Sequence, residues 1–195
     1  AITDNNGAAT NVTATSLALT TVAGIGTGAG GALETTVTDL DAATTTGGVS
    51  VVNAGALVLR DWSPANAAGV AVAATSGAIV ITATSPMDIQ DDVTDSDAIT
   101  LTAGELFDPG FCVDDLTLAA GVTVQSTASS VTLRAGDTIF INVGATVQAA
   151  TTITGDGGSG SVVDSLDGCG EFISLGALIA PNMTVNVLED IVTGT

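Results

Sequence analysis

The segment Leu116-Thr-Leu-Ala-Ala-Gly-Val-Thr-Val-Gln125 returns 23 residues later, without a gap, as Ile139-Phe-Ile-Asn-Val-Gly-Ala-Thr-Val-Gln148. Gly121 falls on Gly144 and Gln125 on Gln148. In both copies an aliphatic residue alternates with a different one over three positions, a Gly intervenes, and the alternation resumes. A period of two is that of a β-strand with one buried face. A second alignment, also ungapped, lays Gly69–Ile81 over Gly121–Leu133. The hexad [Ile/Leu/Val]-Thr-Leu-x-Ala-Gly occurs at Ile99–Gly104, Leu116–Gly121 and Val131–Gly136. Self-similarity at a fixed spacing marks a repeat architecture.

A period near 22 residues holding two or three very short strands predicts an all-β fold, a β-solenoid in which each period is one coil of a parallel β-helix. Strands of successive coils would stack about 4.8 Å apart. The first and third residues of each triplet should line the interior: Ile79, Ile81, Ile99, Leu101, Leu116, Leu118, Val131 and Leu133. The middle residues Thr100, Thr117 and Thr132 should form an outward ladder. Gly121, Gly136 and Gly144 should turn corners, where a positive φ is often required. The competing architecture is a β-sandwich. It asks for strands of five or six residues, hairpin loops and a more aromatic core; four Phe and one Trp favour the solenoid.

Two stretches interrupt the repeat, near residues 105–114 and 155–171. Residues 49–195 therefore read as solenoid repeats with two insertions, and residues 1–48 as irregular N-terminal coils or a cap. Cys112 and Cys169 fall in the two insertions. In an oxidising space they can pair with each other or cross-link neighbouring subunits; their spacing matches no zinc or redox motif.

The charge balance narrows function. Of 195 residues, 21 are acidic and two are basic, Arg60 and Arg134, and the formal net charge is −19. Nucleic-acid binding needs a basic footprint, which two Arg cannot build. Attraction to an anionic membrane surface is disfavoured for the same reason. With no His and no Lys, a Ser-His-Asp triad, a Cys-His dyad, a Schiff-base lysine and a His-ligated metal are all excluded. No run of about 18 apolar residues exists to insert in a membrane, and the first residues do not read as a signal peptide. A surface so acidic and so poor in bases suits a protein outside the cell, in salty water.

Thr44-Thr-Thr-Gly-Gly-Val-Ser-Val-Val-Asn-Ala-Gly-Ala-Leu57, Val131-Thr-Leu-Arg-Ala-Gly-Asp137 and Gly144-Ala-Thr-Val-Gln-Ala-Ala-Thr-Thr-Ile-Thr-Gly-Asp156 resemble the repeats of filamentous-haemagglutinin-like adhesins and related giant bacterial surface proteins. The resemblance is one of repeat style and covers most of the chain. It implies an extracellular, right-handed β-helix at a bacterial cell surface, acting as an adhesin stalk or filament component rather than an enzyme. The partners it implies are further copies of the chain, stacked head to tail, or neighbouring repeats of a longer polypeptide.

Among candidate sites, Asp88, Asp91, Asp92, Asp95 and Asp97 form the densest acidic cluster. Calcium takes six to eight oxygen ligands, and clustered carboxylates supply them; a solvated acidic loop is the plainer reading. No cofactor other than calcium is suggested. Gln90-Asp91-Asp92 looks like the paired aspartates of β-helical polysaccharide hydrolases, but their accompanying Asn, His, Arg and Lys motifs are missing. A calcium- or carbohydrate-binding module, with surface carbohydrate as its ligand, is thus the alternative to a structural protein. An ice-binding array would need a regular Thr-x-Thr ladder, and Arg134 breaks it.

Overall fold

The computed structural model describes residues 1–28, 31–62, 69–106, 112–158 and 169–194. Among them are twenty strands and no helix. In chain order these are β1 (Val12–Thr13), β2 (Ser16–Ile25), β3 (Leu33–Thr36), β4 (Asp39–Asn53), β5 (Leu57–Leu59), β6 (Val70–Ala73) and β7 (Ile79–Ala83). Then come β8 (Met87–Ile89), β9 (Asp92–Asp95), β10 (Ile99–Ala103), β11 (Leu116–Leu118), β12 (Thr123–Ser126), β13 (Val131–Ala135) and β14 (Ile139–Ile141). The last six are β15 (Thr146–Ala149), β16 (Thr152–Gly157), β17 (Phe172–Ser174), β18 (Ala177–Ile179), β19 (Asn182–Val187) and β20 (Ile191–Thr193).

From β4 onward each strand pairs in parallel with the strand three places further along, which gives three ladders. The first stacks the end of β4 with β7, β10, β13, β16 and β19. The second stacks β5, β8, β11, β14, β17 and β20. The third stacks β6, β9, β12, β15 and β18. Parallel strands cannot be joined by a hairpin; here the chain reaches its next partner by visiting the other two ladders first. This is an architecture of β-solenoid type. No two named strands pair antiparallel among the described residues, as a sandwich of hairpins would require. The ladders begin within the N-terminal stretch: β2 lies along β4, Leu17 on Leu40 and Leu19 on Ala42.

The alternation read in the sequence places the core. Ile79, Ile81, Ile99, Leu101, Leu116, Leu118, Val131 and Leu133 are all fully buried, and side chains of the three ladders meet in one cluster. Identical positions stack into columns. One runs Ile25, Val49, Ile79, Ile99, Val131, Ile153, Met183. Another runs Leu19, Ala42, Val72, Val93, Val124, Val147, Leu178. The register of Leu116 on Ile139 reproduces the first sequence alignment, whereas Ile79 and Val131, matched in the second, share a column two coils apart with Ile99 between them.

Three expectations need correction. The hexads do not share one register: Ile99 and Val131 stack on the first ladder, whereas Leu116 belongs to the second. Thr117 therefore leaves the Thr ladder and stands between Asp88 and Phe140, while Thr100, Thr132, Thr154 and Thr184 form it. The hexad repeats because every ladder asks for the same buried–outward–buried triplet. Secondly, Gly121 and Gly144 turn with φ of 83° and 82°, but Gly136 does not have a positive φ. There the Glu105 carboxylate and the Asp114 Cβ occupy the space a side chain would need. Thirdly, a further lengthened connection, residues 60–69, joins β5 to β6.

Two core details carry weight. Phe172 is buried in a column whose preceding member is Ile139. Its ring fills the space beside Gly155, where an added Cβ would lie 2.8 Å from Phe172 Cδ2. Asn53, fully buried, ties the corner after β4. Its Oδ1 accepts from Val37 N and Thr35 Oγ1 at 2.9 Å each, and its Nδ2 lies within 3.0–3.3 Å of the carbonyls of Val37, Gly55 and Ala56. A buried corner leaves backbone groups without water, and this amide satisfies several at once.

Candidate functional site

The five clustered aspartates are dispersed by the fold. Asp91 Oδ2 accepts from Asp61 N at 3.0 Å, Asp92 Oδ1 from Thr123 N at 2.7 Å and Asp97 Oδ2 from Gly77 N at 2.6 Å. Each of these carboxylates caps a backbone N–H of an adjacent coil. Asp95 turns inward at the end of β9 and is buried. Burial pushes its carboxyl above the ordinary aspartate value, against the pull of backbone N–H groups at Asp97 and Ser96. Asp88 points outward from the middle of β8, and partial burial raises it too. Among the described residues no three His, Cys, Asp or Glu side chains converge to hold a metal ion. The clustering in sequence reflects two consecutive corners, each needing caps.

The two bases are both engaged. Arg60 Nη2 lies 2.9 Å from Asp39 Oδ2, and Arg134 Nε lies 3.4 Å from Asp156 Oδ2. Arg134, Asp156 and Asn186 are stacked neighbours on the first ladder, and Asn186 Nδ2 donates to Asp156 Oδ1 at 2.6 Å. This column replaces the threonines that a flat Thr-x-Thr array would need.

Cys112 and Cys169 form a disulfide with Cα atoms 5.6 Å apart. Both lie in connections from the first ladder to the second, one after β10 and one after β16; the short corner after β13 runs between them. Beneath the staple, Asp114 N donates to Asp137 Oδ2 at 2.7 Å, and Asp137 N to the Asp114 carbonyl at 3.0 Å. Both aspartates are fully buried. Most of the two insertions, including Phe107 and Phe111, lies outside the described residues. Trp62, at the start of the third lengthened connection, is 44% exposed.

The most unusual surface lies at the end of the ladders. Ile99, Val131 and Ile153 are at most 1% exposed, but Met183, next in that column, is 48% exposed. Ile191, stacked on the buried Phe172, is 56% exposed. Ile179, Leu188 and Val192 join them as exposed large apolar residues. Val185, Val187 and Leu178 are only partly covered. Among the described strands, β18, β19 and β20 each pair on one side only. At the opposite end the only named strand paired with β2 is β4; Ile2 bridges Ile25 at its far end, and Leu17 and Leu19 are left partly exposed. Large contiguous apolar exposure and unpaired strand edges mark interaction surfaces.

No known protein family matches the chain, and no curated protein or solved structure matches it.

Proposed function

We propose that this chain is an extracellular, non-enzymatic structural element of a bacterial surface. In this reading it is a right-handed β-helix with a basic coil near 22 residues, whose copies stack head to tail into a filament or adhesin stalk. The single observation that carries the reading is the last coil, which bears inward-type residues with no described strand stacked on them: Met183, Ile191 and Leu178. Stacking on the β2 edge of a second copy would continue the columns, with Leu178 over Leu19 and Thr193 over Leu17, because these residues already stand at the two ends of the same columns. Such a contact is heterologous and does not close, so it propagates.

The magnitudes favour association once charge is screened. Fully covering a large aliphatic side chain is worth roughly 1.5–3 kcal/mol, so the partly exposed inward-type Leu178, Met183, Val185, Val187 and Ile191 together contribute several kcal/mol. Pairing the bare strand edges adds roughly 1 kcal/mol per hydrogen bond. These gains are comparable with the roughly 4–15 kcal/mol cost of immobilising a partner. The test is negative-stain electron microscopy with sedimentation across a concentration series in high salt. Uniform fibres, lost in Ile191→Asp, are the expected result. Monomers at every concentration, unchanged by that substitution, would overturn the reading.

A further inference from the structure

A separate feature lies on the outer face of the second ladder, three coils from the last. A cleft of about 320 Å³ opens over Ala119 and Ala120 and is walled by Asp88, Gln90, Thr117 and Asn142. The register explains its shape. Asp88, Thr117 and Phe140 stack in one outward column. Gln90, Ala119 and Asn142 each follow the third residue of β8, β11 and β14, so they stand in the next column. Larger side chains on the first and third coils therefore face each other across small ones on the second, and the two walls are roughly 10 Å apart at two coil spacings. Alanine at position 119 makes the notch.

The chemistry of the walls restricts the occupant. Asp88 accepts only; Gln90, Asn142 and the Thr117 hydroxyl both donate and accept. Asn142 Nδ2 donates to the Leu118 carbonyl at 2.8 Å, which holds the amide in place, and its oxygen accepts from no described residue. Asp88 is half-buried and makes no side-chain hydrogen bond to a described residue, so its carboxylate wants donors from a ligand. An anion finds no counter-charge here: Arg60 is held by Asp39 and Arg134 by Asp156. A metal ion finds too few carboxylates. A purely apolar ligand would leave Asp88 and two amides without partners. A ring carrying several hydroxyls, each donor and acceptor, and one apolar face to lie on Ala119 and Ala120 satisfies all of them.

We propose that this notch binds a single neutral hexopyranose unit, with Asp88 and Gln90 on one side of the ring, Asn142 on the other and Ala119 and Ala120 beneath it. The site is independent of the stacking ends, lying on the outer face rather than on a coil edge. Its volume is at the low end for ligand sites, which fits one sugar ring and weak, repeated binding along a filament rather than a deep pocket.

Saturation-transfer NMR with the methyl glycosides of glucose, galactose and mannose tests it on the intact chain. Saturable transfer is expected from at least one of them, with affinity lowered at least tenfold in Ala119→Gln, which fills the notch from an outward position, and about threefold in Asp88→Asn. Ile173→Ser, one coil beyond Phe140, should leave it unchanged. Absence of saturable transfer from all three glycosides, or transfer unaltered in both Ala119→Gln and Asp88→Asn, would overturn the proposal. Either result is read on monomers or filaments alike, so it stands apart from the outcome of the stacking experiment.

Discussion

The coil containing β13, β14 and β15 and the coil containing β19 and β20 are built on the same plan, yet they present their aliphatic residues differently. In the first, Val131, Leu133, Ile139, Ile141 and Val147 are fully buried between coils above and below. In the second, the equivalent Met183 and Ile191 are about half exposed. The difference is neighbours, not residue type. In a stacked architecture a coil cannot bury its own interior; it borrows burial from the next coil. An aliphatic residue in the middle is stability, and the same residue at the end is unused binding energy.

The comparison can be broken most severely from the middle. Leu101→Asp should abolish folding, because it places an unpaired charge in the core, whereas Ile191→Asp should leave the fold intact and remove only assembly; circular dichroism and sedimentation separate the two. With alanine the contrast becomes a number: Leu101→Ala should cost about 2–5 kcal/mol in urea titration, and Ile191→Ala less than about 1 kcal/mol under monomeric conditions. Next in size is the staple. Closing a loop of 57 residues removes denatured-state entropy worth about 4 kcal/mol, so Cys112→Ser with Cys169→Ser should lower stability by up to that amount. Equal melting temperatures with and without reductant would show that the insertions contribute nothing to the rod. Asn53→Leu strips several buried backbone partners at once and should cost about 3 kcal/mol, measurable as a lower urea midpoint at unchanged slope.

The smaller effects are electrostatic. Asp88, Asp95 and Asp115 are all raised, chiefly by burial; Asp114, Asp88 and Glu171 add to the rise at Asp115. A raised carboxyl keeps its proton longer in the folded state than in the unfolded one. Its contribution is therefore fully present below the ordinary aspartate pKa and is lost as pH rises through the raised value. Thermal unfolding should show a modest gain in stability as the pH falls from neutrality toward 4, diminished in Asp115→Asn. Below that range Asp4 works the other way: the Asn11 side chain and the Asn6 N–H hold it under its ordinary value, and its support is lost on protonation. The mildest lever is salt. With 21 acids, both bases paired and a net charge of −19, copies repel at low ionic strength, so sedimentation should show more association as sodium chloride rises. Association that weakens with added salt would contradict an apolar end contact.

The alternating triplets make the core legible in the sequence itself: all eight aliphatic positions named from it are buried. What the triplets could not disclose is which ladder each belongs to, because Ile99-Thr-Leu and Leu116-Thr-Leu satisfy the same local rule on different faces. Chemistry between coils was hidden for a similar reason. Gly155 makes room for Phe172 across 17 residues of chain, and Gln90 comes to face Asn142 only after two further coils have been laid down. The aspartate cluster misled in the opposite sense. Residues adjacent in sequence were directed by the alternation to different sides of a corner, so proximity along the chain became separation in space. The corner amide Asn53 carried one visible sign, a polar residue at the buried end of an aliphatic run, Val49-Ser-Val-Val-Asn53.

The disulfide also has a mechanical meaning. Pulled along the ladders, a stacked rod yields coil by coil, each released coil paying out its chain as slack. Cys112 and Cys169 enclose everything from β11 to β16. Those 57 residues, roughly 190 Å when extended, stay out of the load path even after their hydrogen bonds have failed. A thread of such units would lengthen by its uncrosslinked coils and then stop, with its reach set by the oxidation of two sulfur atoms.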